Sequence, residues 1–316
     1  MLCISSETAD TCFNLAADEY FLKNSCQNYL MLSVNNTSAV IGKHQVAHME
    51  TNTEFVHKNN IPVFRRISGG GAVFHDTGNI NYSFILNSEP GHQVDFFKYT
   101  LPVMNFLISM GVNAKFEGKN NLRTEGVKIS GNAEYIYRNR VLHHGTLLFD
   151  ANLEMLRGSI RNDISRYETR AVRSNPFPVG NIRECCPQID NTGEFRSKML
   201  QWFLDNYPGA EITGVSRTEA EKINDLADEK YRTWEWNYGY GPEYRFTNTF
   251  NYKDTATSCS LFVKDGLIRE CEMKGPSELQ AAARLLCGCR HTVNDISELF
   301  VNRSLKLREF DIFNLF

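Results

Sequence analysis

Three consecutive glycines, Gly69-Gly70-Gly71, stand between two strand-like runs at 62–67 and 72–74. Glycine loses more conformational freedom on folding than any other residue, so such a run weakens any strand that contains it. A chain keeps one where its backbone must pass very close to something else. Arg66, Ser68 and His75 flank the run, which points to an anion with a flat or thin partner. Backbone N–H groups in turns of this kind hold phosphate. The spacing GxxxxGK[ST] is absent, so this is not a P-loop and any nucleotide is bound in another way. Taken alone, the triplet also fits a flexible β-turn.

Two further stretches carry polar groups inside strand-like patterns. In Gly126-Val127-Lys128-Ile129-Ser130-Gly131-Asn132-Ala133 a lysine interrupts an apolar alternation. Such a lysine either snorkels to the surface or points into a site. The small Ser130 and Gly131 would leave room beside its ammonium, and a point charge there could hold a carboxylate and a phosphate oxygen together. Read without context, a surface lysine is the first expectation. In His143-His144-Gly145-Thr146 the paired histidines suggest a metal. Neighbours in a strand face opposite sides, however, so one is expected in the core and one at a site.

Around these stretches the periodicity predicts helices over 14–23, 95–110, 198–206 and 218–234, the second with Pro102 in its first turn. Strands are expected over 29–34, 39–41, 81–86, 114–116, 127–129, 134–137 and 141–149, with Arg138-Asn139-Arg140 as a hairpin turn. A polar loop is expected over 157–191. Composition shifts at Asn237-Tyr238-Gly239-Tyr240-Gly241-Pro242, the best boundary candidate. Beyond it, strands over 244–250 and 258–263 and an Asp265-Gly266 hairpin precede two helices, one opened by Pro276-Ser277-Glu278 and one near 295–300. That order marks a small α+β unit. The expected division is 1–241 and 242–316.

The 316 residues carry a net charge of −3 with both signs interspersed. No basic stripe of the kind nucleic acid requires is present. No segment approaches the roughly 18 apolar residues of a membrane span. The N-terminus reads as neither signal nor transit peptide, so a cytoplasmic location is expected. Nine cysteines, scattered and without CxxC, fit reduced thiols better than a disulfide framework. Cys287-Gly288-Cys289-Arg290-His291 has no second half for a zinc site and reads as a helix end.

In order and spacing, RRISGGGAVFHDTGNINYSF, KISGNA and HHGTLLFDANL closely resemble the lipoate–protein ligase family. The likeness extends to Val40-Ile41-Gly42-Lys43-His44-Gln45, Val172-Arg173-Ser174 and Trp234-Glu235-Trp236-Asn237, and so covers nearly the whole chain. It implies an α/β (α+β) catalytic domain of the biotin/lipoate ligase type, with mixed and antiparallel sheets flanked by helices, plus a small α+β C-terminal accessory domain.

The implied activity depends on ATP, with Mg²⁺ as the expected cofactor: lipoate becomes lipoyl-AMP, and the lipoyl group moves to a lysine of an apo lipoyl domain. Acceptors would be E2 subunits of 2-oxoacid dehydrogenases and the glycine-cleavage carrier protein; a monomer is expected, with no nucleic acid and no membrane. By the same resemblance Lys128 contacts the acid's carbonyl and the α-phosphate. Arg66, Ser68, Gly69, Gly70 and Gly71 line the slot, and His75 and Asn79 lie near the nucleotide. Ser130, Gly131, His144, Gly145 and Thr146 complete the site, and Arg173 belongs to a mobile loop that closes over the adenylate.

Two positions depart from the family. Gly118-Lys119-Asn120-Asn121 has Asn121 where the family has an acid, and an amide lacks the charge that Mg²⁺ favours. Asn175 stands where an arginine is expected. An ATP-independent octanoyl or lipoyl transferase is therefore the first rival reading, although no cysteine lies in the three motifs. A non-catalytic lipoyl-AMP binder is the second.

Overall fold

The computed structural model describes residues 1–89, 91, 94–161, 163–303, 307 and 309–316. The first half runs β1 (Leu2–Ser5), α1 (Thr11–Asn24), β2 (Tyr29–Val34), β3 (Ser38–Ile41), α2 (Ala47–Glu50), α3 (Thr53–Lys58), β4 (Val63–Arg65), β5 (Val73–His75), β6 (Asn79–Asn87) and α4 (Phe96–Ser109). A meander follows: β7 (Lys115–Glu117), β8 (Asn121–Thr124), β9 (Val127–Tyr137) and β10 (Arg140–Leu148). Then come α5 (Leu153–Ser159), β11 (Tyr167–Thr169), α6 (Thr192–Asn206), β12 (Glu211–Ile212) and α7 (Arg217–Leu226). The chain ends with β13 (Tyr244–Tyr252), β14 (Thr255–Lys264), β15 (Leu267–Lys274), α8 (Ser277–Leu286) and α9 (Val293–Asn302).

Among the described residues, eight strands form one mixed sheet in the order β12-β1-β2-β6-β10-β9-β8-β7, parallel at β12-β1-β2 and antiparallel beyond. One side of it buries Leu30, Tyr82 and Phe84 with Phe106 of α4 and Phe195 and Phe203 of α6. Another cluster packs Met31, Ile85 and Leu142 with Ala16 and Phe21 of α1 and Tyr231. A small sheet, β4-β3-β5, carries the ends of the glycine run. A third, β11-β13-β14-β15, is antiparallel and shares a core with α8 and α9. This is the α/β architecture expected, with a small C-terminal antiparallel sheet. One strand of that sheet, β11, comes from the middle of the chain.

Local chemistry explains where the elements differ from the sequence pattern. Helix α1 starts at Thr11 because Asp10 accepts from the N–H groups of Cys12 and Phe13 at 2.9 and 3.3 Å. Asp95 caps α4 by accepting from Lys98 N at 2.9 Å, so Pro102 falls in the helix interior and not in its first turn. Two strands expected over 127–129 and 134–137 are one, β9. The helix expected to Trp234 leaves α geometry after Leu226 and continues through π turns at 227–231 and 235–239. The 157–191 loop contains β11, and the end of α5; Asn162 within it lies outside the described residues. Both expected hairpins form, with Arg138 at φ 55° and Asp265-Gly266 at φ 52° and 69°.

Candidate active site

A cavity of about 490 Å³ opens over the large sheet. Its floor is built by register. Met31, Ser83, His144 and Ala133 lie side by side on β2, β6, β10 and β9, and Ser33, Asn81 and Thr146 form the next row. Because side chains alternate along a strand, these two rows share one face. Asn121 of β8, paired with Gly131, extends the floor toward Lys128. Asn14, Leu15 and Asp18 of α1 bound the opposite end.

The glycine run forms one wall and is shaped by Arg66. That guanidinium, 6% exposed, donates from Nε to Ser68 Oγ at 3.0 Å, from Nη1 to Val40 O at 3.1 Å, and from Nη2 to Gly69 O and Gly71 O at 2.6 and 2.7 Å. Four of its five N–H groups are thus committed. Burial lowers its pKa to about 10. Arg66 therefore works mainly by fixing the run's shape. Gly70 has φ +86°, the left-handed region that side chains disfavour.

Lys128 reaches the cavity through a β-bulge. Leu122 pairs with Ser130 but Arg123 pairs with Lys128, so Ile129 is an extra residue. The bulge turns Lys128 to the side of Gly131, where a Cβ would meet Nζ at 2.8 Å. Lys128 and Ser130 would share a face in a regular strand. As built, Ser130 is 1% exposed and Lys128 lines the cavity. Among the described residues no carboxylate pairs with Lys128. Burial, with help from nearby Arg66 and Arg123, lowers its pKa to about 8. It is not the surface lysine that the bare strand pattern suggests.

The paired histidines divide as alternation requires. His143 is fully buried, near Thr100 Oγ1 at 3.2 Å and Glu134 Oε1 at 2.9 Å. His144 faces the cavity, with Nδ1 3.2 Å from Asp18 Oδ2 and Nε2 2.6 Å from Ser68 Oγ. His75 lines the same wall; Asn35 Nδ2 donates to its Nδ1 at 3.0 Å. Burial first, then Arg66 and His144, lower its pKa to about 3, so it stays neutral at ordinary pH. Gly145 is needed because Tyr82 and Asn132, hydrogen-bonded to each other, occupy the space of a Cβ.

The structure thus brings Arg66, Gly70, Gly71, His75, Asn121, Lys128, Gly131, His144, Gly145, Thr146 and Arg173 around one cavity. Gly69 is not on its wall. Ser68, Asn79 and Ser130 are buried behind it, at 0%, 0% and 1% exposure. Sequence reasoning missed Asn14, Asp18 and Asn35. The first two are four apart on α1, a polar pair on an inward helix face, which is the one signal that could have found them.

The segment after β11 forms part of the cavity wall. Val172, Arg173, Ser174, Asn175 and Phe177 line the cavity. Val172 N donates to His44 O at 3.1 Å, Lys128 N to Pro178 O at 2.9 Å, and Gly180 N to Lys128 O at 3.2 Å. The Phe177 ring lies 4.8 Å from Arg123 Cζ and 5.8 Å from Lys128 Nζ.

The donor set does not fit a resident Mg²⁺. Among the described residues no three His, Cys, Asp or Glu side chains group as ligands. Near Lys128 the wall offers the Asn121 amide, and Asp18, the carboxylate among the described lining residues, is next to His144. Hard cations need several oxygen ligands, preferably charged.

The family model of the lipoyl protein ligase A/B catalytic domain matches residues 10–204. The lipoate-protein ligase LplJ of Bacillus subtilis (strain 168) is 34% identical over 305 residues, covering 94% of this chain and 92% of its own. A solved structure of a putative lipoate protein ligase from T. acidophilum with bound lipoic acid superposes with a TM-score of 0.63 at 24% identity, over 74% of this chain and 98% of that one. A lipoate-protein ligase A bound with ATP gives 0.63 at 24% identity, over 75% and 98%. These two structures share the fold over about three quarters of this chain.

Proposed function

The chain belongs to the lipoate–protein ligase family, and from that premise we propose that it uses ATP to make lipoyl-AMP and then transfers the lipoyl group to an acceptor lysine. The observation that carries the ATP-dependent step is the ammonium of Lys128, half-buried on the cavity wall beside Gly131 with no carboxylate partner among the described residues. A partly desolvated cation without a partner is costly, and an anionic substrate supplies the missing one. The relative bound with ATP has the same fold.

In the first step a lipoate carboxylate oxygen attacks the α-phosphorus of ATP. A new P–O bond forms, the bond to the bridging oxygen breaks, and pyrophosphate leaves. Two anions must meet, and Lys128 lowers that repulsion from a site already organised for it. Arg66 holds the Gly69–Gly71 backbone in the conformation that forms the slot. In the second step the acceptor's ε-amine attacks the carbonyl carbon. An amide forms, the amine loses a proton, and AMP leaves with the electron pair. Lys128 polarises the carbonyl oxygen here as well. Mg²⁺ would arrive on the nucleotide's phosphates and supply charge neutralisation there. The acceptors are apo lipoyl domains of E2 subunits or the glycine-cleavage carrier protein. Residues 1–241 form the catalytic unit in this reading and 242–316 the accessory unit.

The test is lipoate-dependent release of pyrophosphate from ATP by the purified protein, without and then with an apo lipoyl domain. Release that requires lipoate, with the acceptor gaining a lipoyl mass, supports the reading. No release, with transfer from a lipoylated or octanoylated donor protein, would establish the ATP-independent transferase instead. Against that rival, no cysteine lines the cavity among the described residues.

A further inference from the structure

Glu50 ends α2 and is 1% exposed, yet among the described residues it belongs to no ion pair. A buried carboxylate in that position destabilises a fold unless it is well hydrogen-bonded. Gln45 is one side-chain partner, and the other bonds go to the segment that lines the cavity after β11. Ser174 N donates to Oε1 and Oε2 at 3.3 and 3.2 Å, and Ser174 Oγ donates to Oε2. The same hydroxyl oxygen accepts from Gln45 Nε2 at 3.2 Å and from Ala72 N, at the end of the glycine run, at 2.8 Å. A Cβ on Gly71 would meet Ser174 Oγ at 2.9 Å. Ser174 is therefore seated between Glu50 and the glycine run, with every direction around its oxygen used.

We propose that Glu50 is a positioning residue: it holds Ser174, and through it latches the 172–177 segment across the cavity, so that the acyl-adenylate is retained until an acceptor lysine arrives. The use of the latch rests on the ATP-dependent ligase reading above; the latch itself does not. Lipoyl-AMP is a mixed anhydride that water cleaves at its carbonyl carbon. A segment that carries Arg173 and Phe177 over the opening both retains it and keeps water from it. Glu50 touches none of the reacting atoms. It acts through Ser174 on the balance between covered and open cavity, and hydrogen bonds to a charged acceptor are strong enough to move that balance about tenfold or more.

Two measurements on the full chain test this. The first needs no ligand: amide hydrogen exchange resolved by residue. In Glu50→Ala, Ser174 and Ala72 should exchange faster by about tenfold, while β13–β15 keep their protection. Glu50→Gln, which keeps an acceptor oxygen but loses the charge, should fall between. Unchanged exchange at Ser174 overturns the latch, whatever chemistry the cavity performs. The second is retention: each protein is incubated with lipoate and ATP without acceptor, desalted, and assayed for bound lipoyl-AMP. The unmodified protein should keep a near-stoichiometric amount, whereas Glu50→Ala should form the adenylate, lose most of it to solution and so release pyrophosphate continuously. Equal retention overturns the proposed role. If the unmodified protein forms no adenylate, the ligase reading has failed, and the exchange experiment alone decides the latch. Should Glu50→Ala not fold, Glu50→Gln and Ser174→Ala carry both readouts.

Discussion

Lys128 carries two demands that conflict. It must be charged to receive an anion, and its surroundings favour the neutral form, with a pKa of about 8. In the free protein its charge is lost as pH rises through about 8, so kcat/KM for lipoate should fall on the alkaline side with an apparent pKa near that value. A flat profile to pH 9 would exclude Lys128 as the group that receives the acid. Stability moves the other way. The unfolded lysine titrates near its ordinary 10.5, so between about 8 and 10.5 the unfolded chain holds the extra proton and Lys128 makes the fold more stable as pH rises. Lys128→Met should flatten that rise. It should also lower pyrophosphate release by about 100-fold or more, the loss typical of a removed charge-stabilising donor. Normal release would remove the assigned role. The motif around Lys128 was legible in the sequence, as was the division of labour between His143 and His144. Asn35 and Glu50 were not. They reach the site only through the packing of β2 and α2 around it, and no local spacing records that; for Asp18 the sequence offers only its four-residue spacing from Asn14.

Among the elements, the two hairpins were readable because Arg138-Asn139 and Asp265-Gly266 are local turn chemistry. Strands β1 and β8 are only four residues each and α2 is one turn; their stability comes from sheet neighbours and not from their own periodicity. The bulge at Ile129 was also hidden, since it is defined by its partner strand. Pro102 shows how tertiary context overrides propensity. It sits inside α4, where it removes one backbone hydrogen bond. Pro102→Ala should raise stability by about 1 kcal/mol or more without changing activity; a lower melting temperature would show that its ring packing outweighs the missing bond. The glycine run behaves differently, because its strain belongs to the site. Gly70→Val places a branched side chain at φ +86°, where a Cβ also lies 3.1 Å from Arg66 Nη2. Lipoate affinity should fall by about tenfold or more as Arg66 loses its grip on the run. Unchanged affinity would mean that the run does not form the slot.

At the scale of the whole molecule, the C-terminal sheet is tied to the rest by neutral histidines. His48 Nε2 donates to His291 O at 2.7 Å, and His291 Nε2 donates to Leu315 O at 2.8 Å while its Nδ1 accepts from the Tyr244 hydroxyl. The Phe316 ring stacks on His291 at 4.5 Å. Burial lowers the pKa of His291 to about 4 and holds that of His48 well below its ordinary value. Their unfolded counterparts take up protons from about 6.5 downward, so the stability they contribute is present above that pH and is lost as pH falls from about 6.5 through 4. The melting temperature should drop over that window, and His291→Gln should reduce the drop while lowering stability at pH 7. An unaltered acid limb in the variant would place the titration elsewhere.

A further connection to that sheet is β11, which pairs with β13, and its position in the chain matters more than its three residues suggest. Tyr167 and Ala171 are packed in the C-terminal core, while Val172, the next residue, already lines the cavity. There is no slack between the two. Any rigid-body movement of β13–β15 acts on the covering segment like a lever with a very short arm, so the opening and the C-terminal sheet cannot be repositioned independently of one another. A cut at residue 241 would not divide the molecule cleanly either, because it would leave β11 on one piece and the strand it pairs with on the other.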